Sequence, residues 1–338
     1  MPRSACAEPC GVTAWVVPRR RPSKQPPRWP AGCSRRANRS APGPRGCRSP
    51  ELSTTRRTGL MPELPEIEVL RREIEREVVG KKIKKSELSS LGSTSHHPNK
   101  KHFSSRIDGA KVTRVERRGT WLLLSLDNEH ILVIKLGKGA KLVRAASRAK
   151  VEDGTEITLT FTQHGQLRLV DPKKKSEVFI VPDEELAETL PELADYGADP
   201  VDNPMSWTTF GEALLRRDGK LKSLLMDSTF ITGVGPVYSD EILFNAGLRY
   251  DRTAASLSSQ EIRRLYRALV ETLHDAIKYR GASIGEQPFV DLHGEPGEYQ
   301  EHLNVYGREG EMSPRARGPI VKTRFGNTYT YYCEQTQV

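Results

Sequence analysis

The sequence predicts an α+β fold. An N-terminal helix leads into an antiparallel β-sandwich, followed by a helical region and a small C-terminal β-hairpin. Three observations predict it. Apolar residues recur at helical spacing just after Met61, short β-branched runs broken by turns follow, and composition turns helical past residue 183 and back to strand and turn past 281.

The first sixty residues stand apart. They hold 12 Arg and 1 Lys against Glu8 and Glu51, 10 of the 23 prolines, and four of the five cysteines (Cys6, Cys10, Cys33, Cys47). No apolar period runs through them, so we expect a disordered basic extension. A secretory signal is not expected, because no apolar core precedes a small-residue cleavage site. An organelle leader is opposed by the prolines, which break an amphipathic helix. A basic arm for DNA phosphates and a misplaced start codon are also open; the misplaced start is the reading adopted. The remaining residues carry 40 basic and 41 acidic side chains, so the net charge of +10 belongs to the extension. Any face for nucleic acid in the body must come from local clustering. No run is long and apolar enough to predict a membrane span.

From Met61 each element has its own signal. In EIEVLRREIEREVVG, Ile67, Leu70, Ile74 and Val78 share one helical face, Pro62 and Pro65 flank the start, and Gly80 supplies a stop. Residues 90–105 read as an exposed loop carrying His96 and His97. Then KVTRVERR, TWLLLSL, HILVIKLG, EITLTFTQ, QLRLVDP and EVFIVP read as strands, with turn residues such as Asp127-Asn128 between them. PDEELAETL and TTFGEALLRR are helical in composition, and two more helices are expected around 220–247 and 258–280.

Three stretches carry a resemblance: PELPE at 62–66, LMDSTFITGVGPVYSDEILFNAGL at 225–248 and VYGREGE at 305–311. In this order and spacing they resemble the formamidopyrimidine-DNA glycosylase / endonuclease VIII family over essentially all of 61–338. The resemblance implies a catalytic β-sandwich domain over 61–185, a helix–two-turn–helix domain over 186–293 and a degenerate finger over 294–338. It implies DNA repair by a bifunctional glycosylase, which excises a damaged, oxidised base and cleaves the strand at the abasic site. The implied partner is double-stranded DNA with damaged bases or abasic sites, met by a monomer in the cytoplasm beside the nucleoid.

By that resemblance Pro62 is the nucleophile, through a secondary amine exposed once Met61 is removed. Glu63 is the carboxyl that handles the sugar proton, and Glu66 is a supporting carboxylate. PELPE also fits a plain helix N-terminus, with Pro in the first turn and acids against the dipole. Gly233 and Gly235 are expected in a turn whose backbone holds a DNA phosphate, with Glu241 nearby. Asp240-Glu241 equally fits a pair placed against the helix dipole.

The pattern also departs from the family. RRGT puts Thr120 where members carry a lysine, and Pro236 replaces an asparagine. KLGKGA puts Lys138 at the position of a methionine wedge. DPKKKS offers Lys173, Lys174 and Lys175 as a phosphate patch or a solvated turn. The zinc-binding CxxC pairs become SPRA at 313–316 and CEQT at 333–336, leaving Cys333 alone, so no metal or other cofactor is expected. Thr328 takes the place of a finger arginine, and Arg324 on the same hairpin is the expected substitute. These replacements keep a second reading open: a relative that binds damaged DNA without processing it.

Overall fold

The computed structural model describes residues 60–94, 96–163 and 165–338. The extension expected over 1–60 lies, apart from Leu60, outside the described residues. Helix α1 spans Leu64–Val78 and has two working faces. Ile67, Leu70, Ile74 and Val78 enter the sandwich core, while Leu64 and Val69 pack with Ile277 of the helical region. This helix therefore sits between the two halves, which is why both of its faces are apolar.

The sandwich follows as β1 (Ile83–Leu88), α2 (Lys100–Ile107), β2 (Val112–Arg118), β3 (Trp121–Leu126), β4 (His130–Lys135), β5 (Lys141–Ala145), β6 (Thr155–Phe161), β7 (Gln166–Val170) and β8 (Glu177–Pro182). One sheet runs β1-β6-β7-β5 and the other β2-β3-β4-β8, all pairs antiparallel. Their inner faces share one core that includes Leu122, Leu124, Leu132, Ile157 and Leu169. The outer face of the second sheet is covered as well: Trp121, Val133 and Phe179 pack under Leu186 and Leu190. Pairing of Trp121 with Lys135 sets the turn before β3 beside the turn after β4.

Three elements depart from the sequence reading. Strand β1 (IKKSEL) and strand β5 (KLVRA) are edge strands rich in charge, so neither shows the alternation that marks a half-buried strand. The stretch 90–105, expected to be an exposed loop, contains the start of α2, capped by Asn99, whose side chain accepts from the His102 N–H at 2.8 Å. Phe103 and Ile107 anchor that helix in the core. His97 is buried rather than solvated: its Nε2 accepts from the Ile180 N–H at 2.9 Å, and its Nδ1 lies 3.0 Å from Nδ1 of His102.

The helical region contains α3 (Leu186–Thr189), α4 (Trp207–Leu215), α5 (Leu221–Leu225), α6 (Pro236–Ala246) and α7 (Ser259–Lys278). Helix α6 stops at Gly247 in the left-handed region (φ 68), and α7 begins with a capping box between Ser258 and Glu261. The chain ends in the hairpin β9 (Val321–Phe325) and β10 (Thr328–Tyr332). Phe244 of α6 packs with Val305, Ile320 and Cys333, so the hairpin region is fixed to the helical core. No helix among the described residues is long and apolar enough to cross a membrane.

Burial, followed by the neighbouring His102, Arg106 and His96, lowers the His97 pKa from 6.5 to about 4. The unfolded chain therefore binds a proton in this window that the fold refuses. Stability from this site is complete above pH 6.5 and is lost as pH falls towards 4. We expect the wild type to lose on the order of 2 kcal/mol from this site across that window. His97→Gln keeps an acceptor for Ile180 and should lack this component in urea titrations at stepped pH.

Candidate active site

The start of α1 is bound to the start of α6. Gly235 is the N-cap of α6 and Pro236 its first residue, so this helix offers N–H groups from Gly235, Val237 and Tyr238. The Glu63 carboxylate takes all three, at 2.6, 2.9 and 3.4 Å. Leu64 N–H adds a bond of 2.8 Å to the Gly233 carbonyl. Glu66 closes the arrangement. Its Oε2 accepts from the Glu63 N–H at 2.9 Å, and its Oε1 accepts from the Tyr238 hydroxyl at 2.5 Å and the Ala282 N–H at 2.8 Å.

Both carboxyls are buried, and this sets their acidity. Burial first, then the charge of Glu66, raises Glu63 to about 8, against the pull of the three α6 N–H groups. Glu66 is also raised by burial, partly offset by its hydrogen bonds. At neutral pH the pair therefore holds a proton, which is the condition for a general acid.

Pro62 and Glu63 open on a cavity of about 440 Å³ lined by Thr120, Lys138, Tyr196, Met226 and the Gly233–Pro236 turn. Pairing of β3 with β4 brings Thr120 and Lys138 to the same mouth. The sequence reading placed Pro62, Glu63, Lys138, Gly233 and Gly235 in the functional set, and the fold brings these five together. It missed Tyr196, which lies in a connecting segment without a motif of its own, and Met226 and Ser228, which lie within the 225–248 stretch but were given no role there.

Other expectations are corrected. Gly235 was expected to present its N–H to a phosphate, but Glu63 already occupies it. The two glycines are needed for close approach instead. A Cβ on Gly235 would sit 2.5 Å from Cδ of Glu63, and one on Gly233 would sit 2.8 Å from Cβ of Leu64. Glu241 does not reach the surface either. Its carboxylate is buried and accepts from the N–H groups of Asn304, Val305 and Tyr306 at 2.8–2.9 Å, so it organises the VYGREGE loop.

Lys173, Lys174 and Lys175 are exposed, but two are engaged. Lys173 donates to Gln287 at 2.6 Å, and Lys174 donates to Ser90 at 3.0 Å and lies 3.5 Å from Glu156. Arg324 is exposed on β9, apart from the residues that line the cavity, and its guanidinium bonds the Gly326 carbonyl at 3.3 Å.

Lys222 and Arg117, both buried, escaped the sequence reading. Lys222, in the apolar run LKSLL, donates to Asp240 at 2.6 Å and to the Tyr329 carbonyl at 3.2 Å. Asp240 also accepts from Thr330 at 2.5 Å and the Tyr331 N–H at 2.9 Å, and burial raises it to about 6. This cluster ties α5 and α6 to the hairpin. Arg117 bonds Glu68 at 3.1 Å, Asp199 at 2.6 Å and Asp202 at 2.8 Å, joining α1 and the sandwich to the helical region. A cation inside an apolar run was the available signal for Lys222.

The zinc that the resemblance implies does not fit the residues present. Its four positions hold Ser313, Ala316, Cys333 and Thr336. Ala316 has no donor atom. Burial pushes the Cys333 thiol up, but hydrogen bonds from Thr336, Ser313 and the backbone N–H groups of Gln335 and Thr336 outweigh it and lower the thiol pKa. Among the described residues no group of three or more His, Cys, Asp or Glu side chains could hold a metal ion.

The contact at Gly235 gives a direct expectation. Gly235→Ala should destabilise by about 1–3 kcal/mol through overpacking against Glu63. Urea denaturation measures the loss, and an unchanged midpoint would show that the junction yields freely.

Comparison with known proteins agrees with this geometry. Residues 61–178 match the model of the formamidopyrimidine-DNA glycosylase N-terminal domain, and residues 196–287 match its H2TH domain. The formamidopyrimidine-DNA glycosylase of Pelotomaculum thermopropionicum is 34% identical over 277 residues, covering 82% of this chain and 99% of the relative. That of Geobacillus kaustophilus is 35% identical over 277 residues, covering 82% and 100%. Among solved structures, the MutM (Fpg) protein of Thermus thermophilus aligns with a TM-score of 0.72 at 30% identity, over 82% of this chain and 98% of that one. The Lactococcus lactis Fpg in complex with DNA containing an abasic site aligns with a TM-score of 0.74 at 27% identity, over 81% and 99%. The chain belongs to the formamidopyrimidine-DNA glycosylase family.

Proposed function

We propose that this protein excises damaged bases from duplex DNA and cleaves the strand at the resulting abasic site, using the nitrogen of Pro62. The observation that carries the reading is the pairing of Pro62 with a buried, proton-holding Glu63 at the mouth of one cavity. A base in a duplex must leave the stack before its sugar can be reached, so the cavity receives a flipped nucleotide. The free secondary amine of Pro62 attacks C1′ of the sugar, and the C1′–base bond breaks with its electron pair leaving on the base, which takes up the proton that the Pro62 nitrogen loses. Glu63 delivers its proton to the ring oxygen, the ring opens, and an iminium forms between C1′ and Pro62. Loss of a C2′ proton then expels the 3′ phosphate and cuts the strand.

This chemistry needs Pro62 to carry no acyl group, because an amide nitrogen has no lone pair to give. We propose that the active chain begins at Pro62, with Met61 and what precedes it removed or never made. Support comes from the family model, whose match starts at Met61, and from relatives whose whole length is covered by 277 residues of this chain. Once free, the amine titrates near pH 8. Its ammonium form beside Glu63 draws the carboxyl pKa down, so the two groups share a proton across neutral pH.

Two consequences can be measured on the chain beginning at Pro62. Imine formation should fall on the acid side as the amine is protonated and on the alkaline side as Glu63 loses its proton. Glu63→Gln removes the acid and sets an amide NH₂ against the α6 N–H groups. Its rate on a duplex carrying one oxidised purine should fall by about 10²–10⁴-fold. Pro62→Gly should lower cleavage at the same lesion, since a primary amine replaces the fixed ring nitrogen. Strand-cleavage gels read both. Tight binding of the lesion with no cleavage by the unmodified protein would replace this reading with that of a damage-binding relative.

A further inference from the structure

We propose that Lys138 is the phosphate-binding cation of the Pro62 cavity, holding the DNA backbone next to the sugar that Pro62 attacks. The inference rests on the reading of that cavity as the site of a flipped nucleotide. Lys138 is the one Lys or Arg among the described residues lining it, and Glu63 is the one carboxyl. A nucleotide drawn into this space brings a phosphate on each side of its sugar, and without a cation those charges would face an apolar wall and a buried acid.

The backbone under Lys138 is built to hold one position. Gly137 donates its N–H to Ser176 Oγ at 2.9 Å, and a Cβ there would lie 2.5 Å from the Lys175 carbonyl carbon. Gly139 has φ +77, and a Cβ on it would fall 2.2 Å from Oε1 of Gln287. Gln287 in turn accepts from Lys173 at 2.6 Å. The turn is thus wedged between the loop after β7 and the segment after α7, and its only long side chain lines the cavity. Lys138 is half-buried and forms no ion pair among the described residues, in contrast to Lys174 and Arg117. Its ammonium is available to an incoming anion. Thr120, beside it at the same mouth, has no charge to offer.

A phosphate contact has a signature that an apolar wedge or a structural lysine lacks. Each phosphate neutralised adds about 0.9 to the slope of log affinity against log salt on duplex DNA. The experiment measures binding of the full 338-residue chain to a duplex carrying one tetrahydrofuran abasic-site analogue, at stepped salt. Lys138→Ala should weaken binding several-fold and make the slope shallower by about 0.9, equally for all flanking sequences. Lys138→Arg should restore the slope. In the double variant, Thr120→Lys should restore it to Lys138→Ala, because the cation returns to the same mouth. The extension contributes equally to every variant and cancels in the comparison.

An unchanged slope in Lys138→Ala, with its melting temperature preserved, would overturn the proposal. So would a borohydride adduct at Lys138 in Pro62→Gly, which would make Lys138 a nucleophile. Failure of the wild type to bind the duplex at all would overturn the proposal together with the functional reading. Binding with the expected slope change, alongside no trapped adduct from the chain that begins at Pro62, would sustain Lys138 as the phosphate contact and remove Pro62 chemistry alone.

Discussion

The Glu63 carboxylate at the N-terminus of α6 is the contact on which the rest of the molecule depends. It joins residues 172 apart in sequence at 2.6 Å and leaves the first turn of α6 with no N–H of Gly235, Val237 or Tyr238 unmet. Hydrogen bonds to this carboxyl, which holds a proton at neutral pH, are worth about 0.5–1.5 kcal/mol each, and an unmet N–H in this buried setting costs about 1–3 kcal/mol. The junction therefore fixes where Pro62 lies relative to the helical region. Two glycines make it possible by letting the turn at 233–235 touch Leu64 and Glu63 directly.

Helix α6 then passes that order on. Its first turn holds Glu63, Asp240 holds the hairpin through Thr330 and Tyr331, and Glu241 holds the backbone at 304–306. Three acids on two chain segments thus turn their carboxyl groups to N–H and O–H donors of distant segments rather than to solvent. The near-neutral body takes on a different meaning in this light. Several of its charges lie inside the protein: Arg117 with Glu68, and Lys222 with Asp240, while Asp199 and Asp202 meet Arg117 from nearer the surface. Removing one partner of such a group leaves a buried charge uncompensated, at a cost of about 3–5 kcal/mol. A charge count from sequence cannot separate these from the charges that meet a ligand.

The sandwich strands with apolar runs and the sandwich-facing side of α1 were legible because each depends on local spacing, and the PELPE cluster was legible through its resemblance to the family. Strands β1 and β5 were not, since an edge strand with Lys, Glu and Arg has no burial alternation to read. His97 was misjudged for a related reason. Its neighbours are polar, and only the fold brings the Ile180 N–H to its ring. At the site, the motif named Pro62, Glu63 and Glu66 correctly as neighbours, but it could not reveal that Glu63 caps a helix far along the chain. Gly235 was assigned to a phosphate-holding turn, and Glu241 to its neighbourhood, by the resemblance to the family. Long-range hydrogen bonds occupy both instead, and no local signal encodes such a partner.

The central claim is that the chemistry resides in the Pro62 nitrogen and requires it to be free. The most direct test is borohydride trapping on a duplex with one abasic site, comparing the chain that begins at Pro62 with the same chain extended to Met1. The account predicts a covalent adduct in the first, mapped by mass spectrometry to the N-terminal peptide, and none in the second. An adduct of equal yield in the extended chain, or one mapped to an internal lysine of the shorter chain, would contradict it.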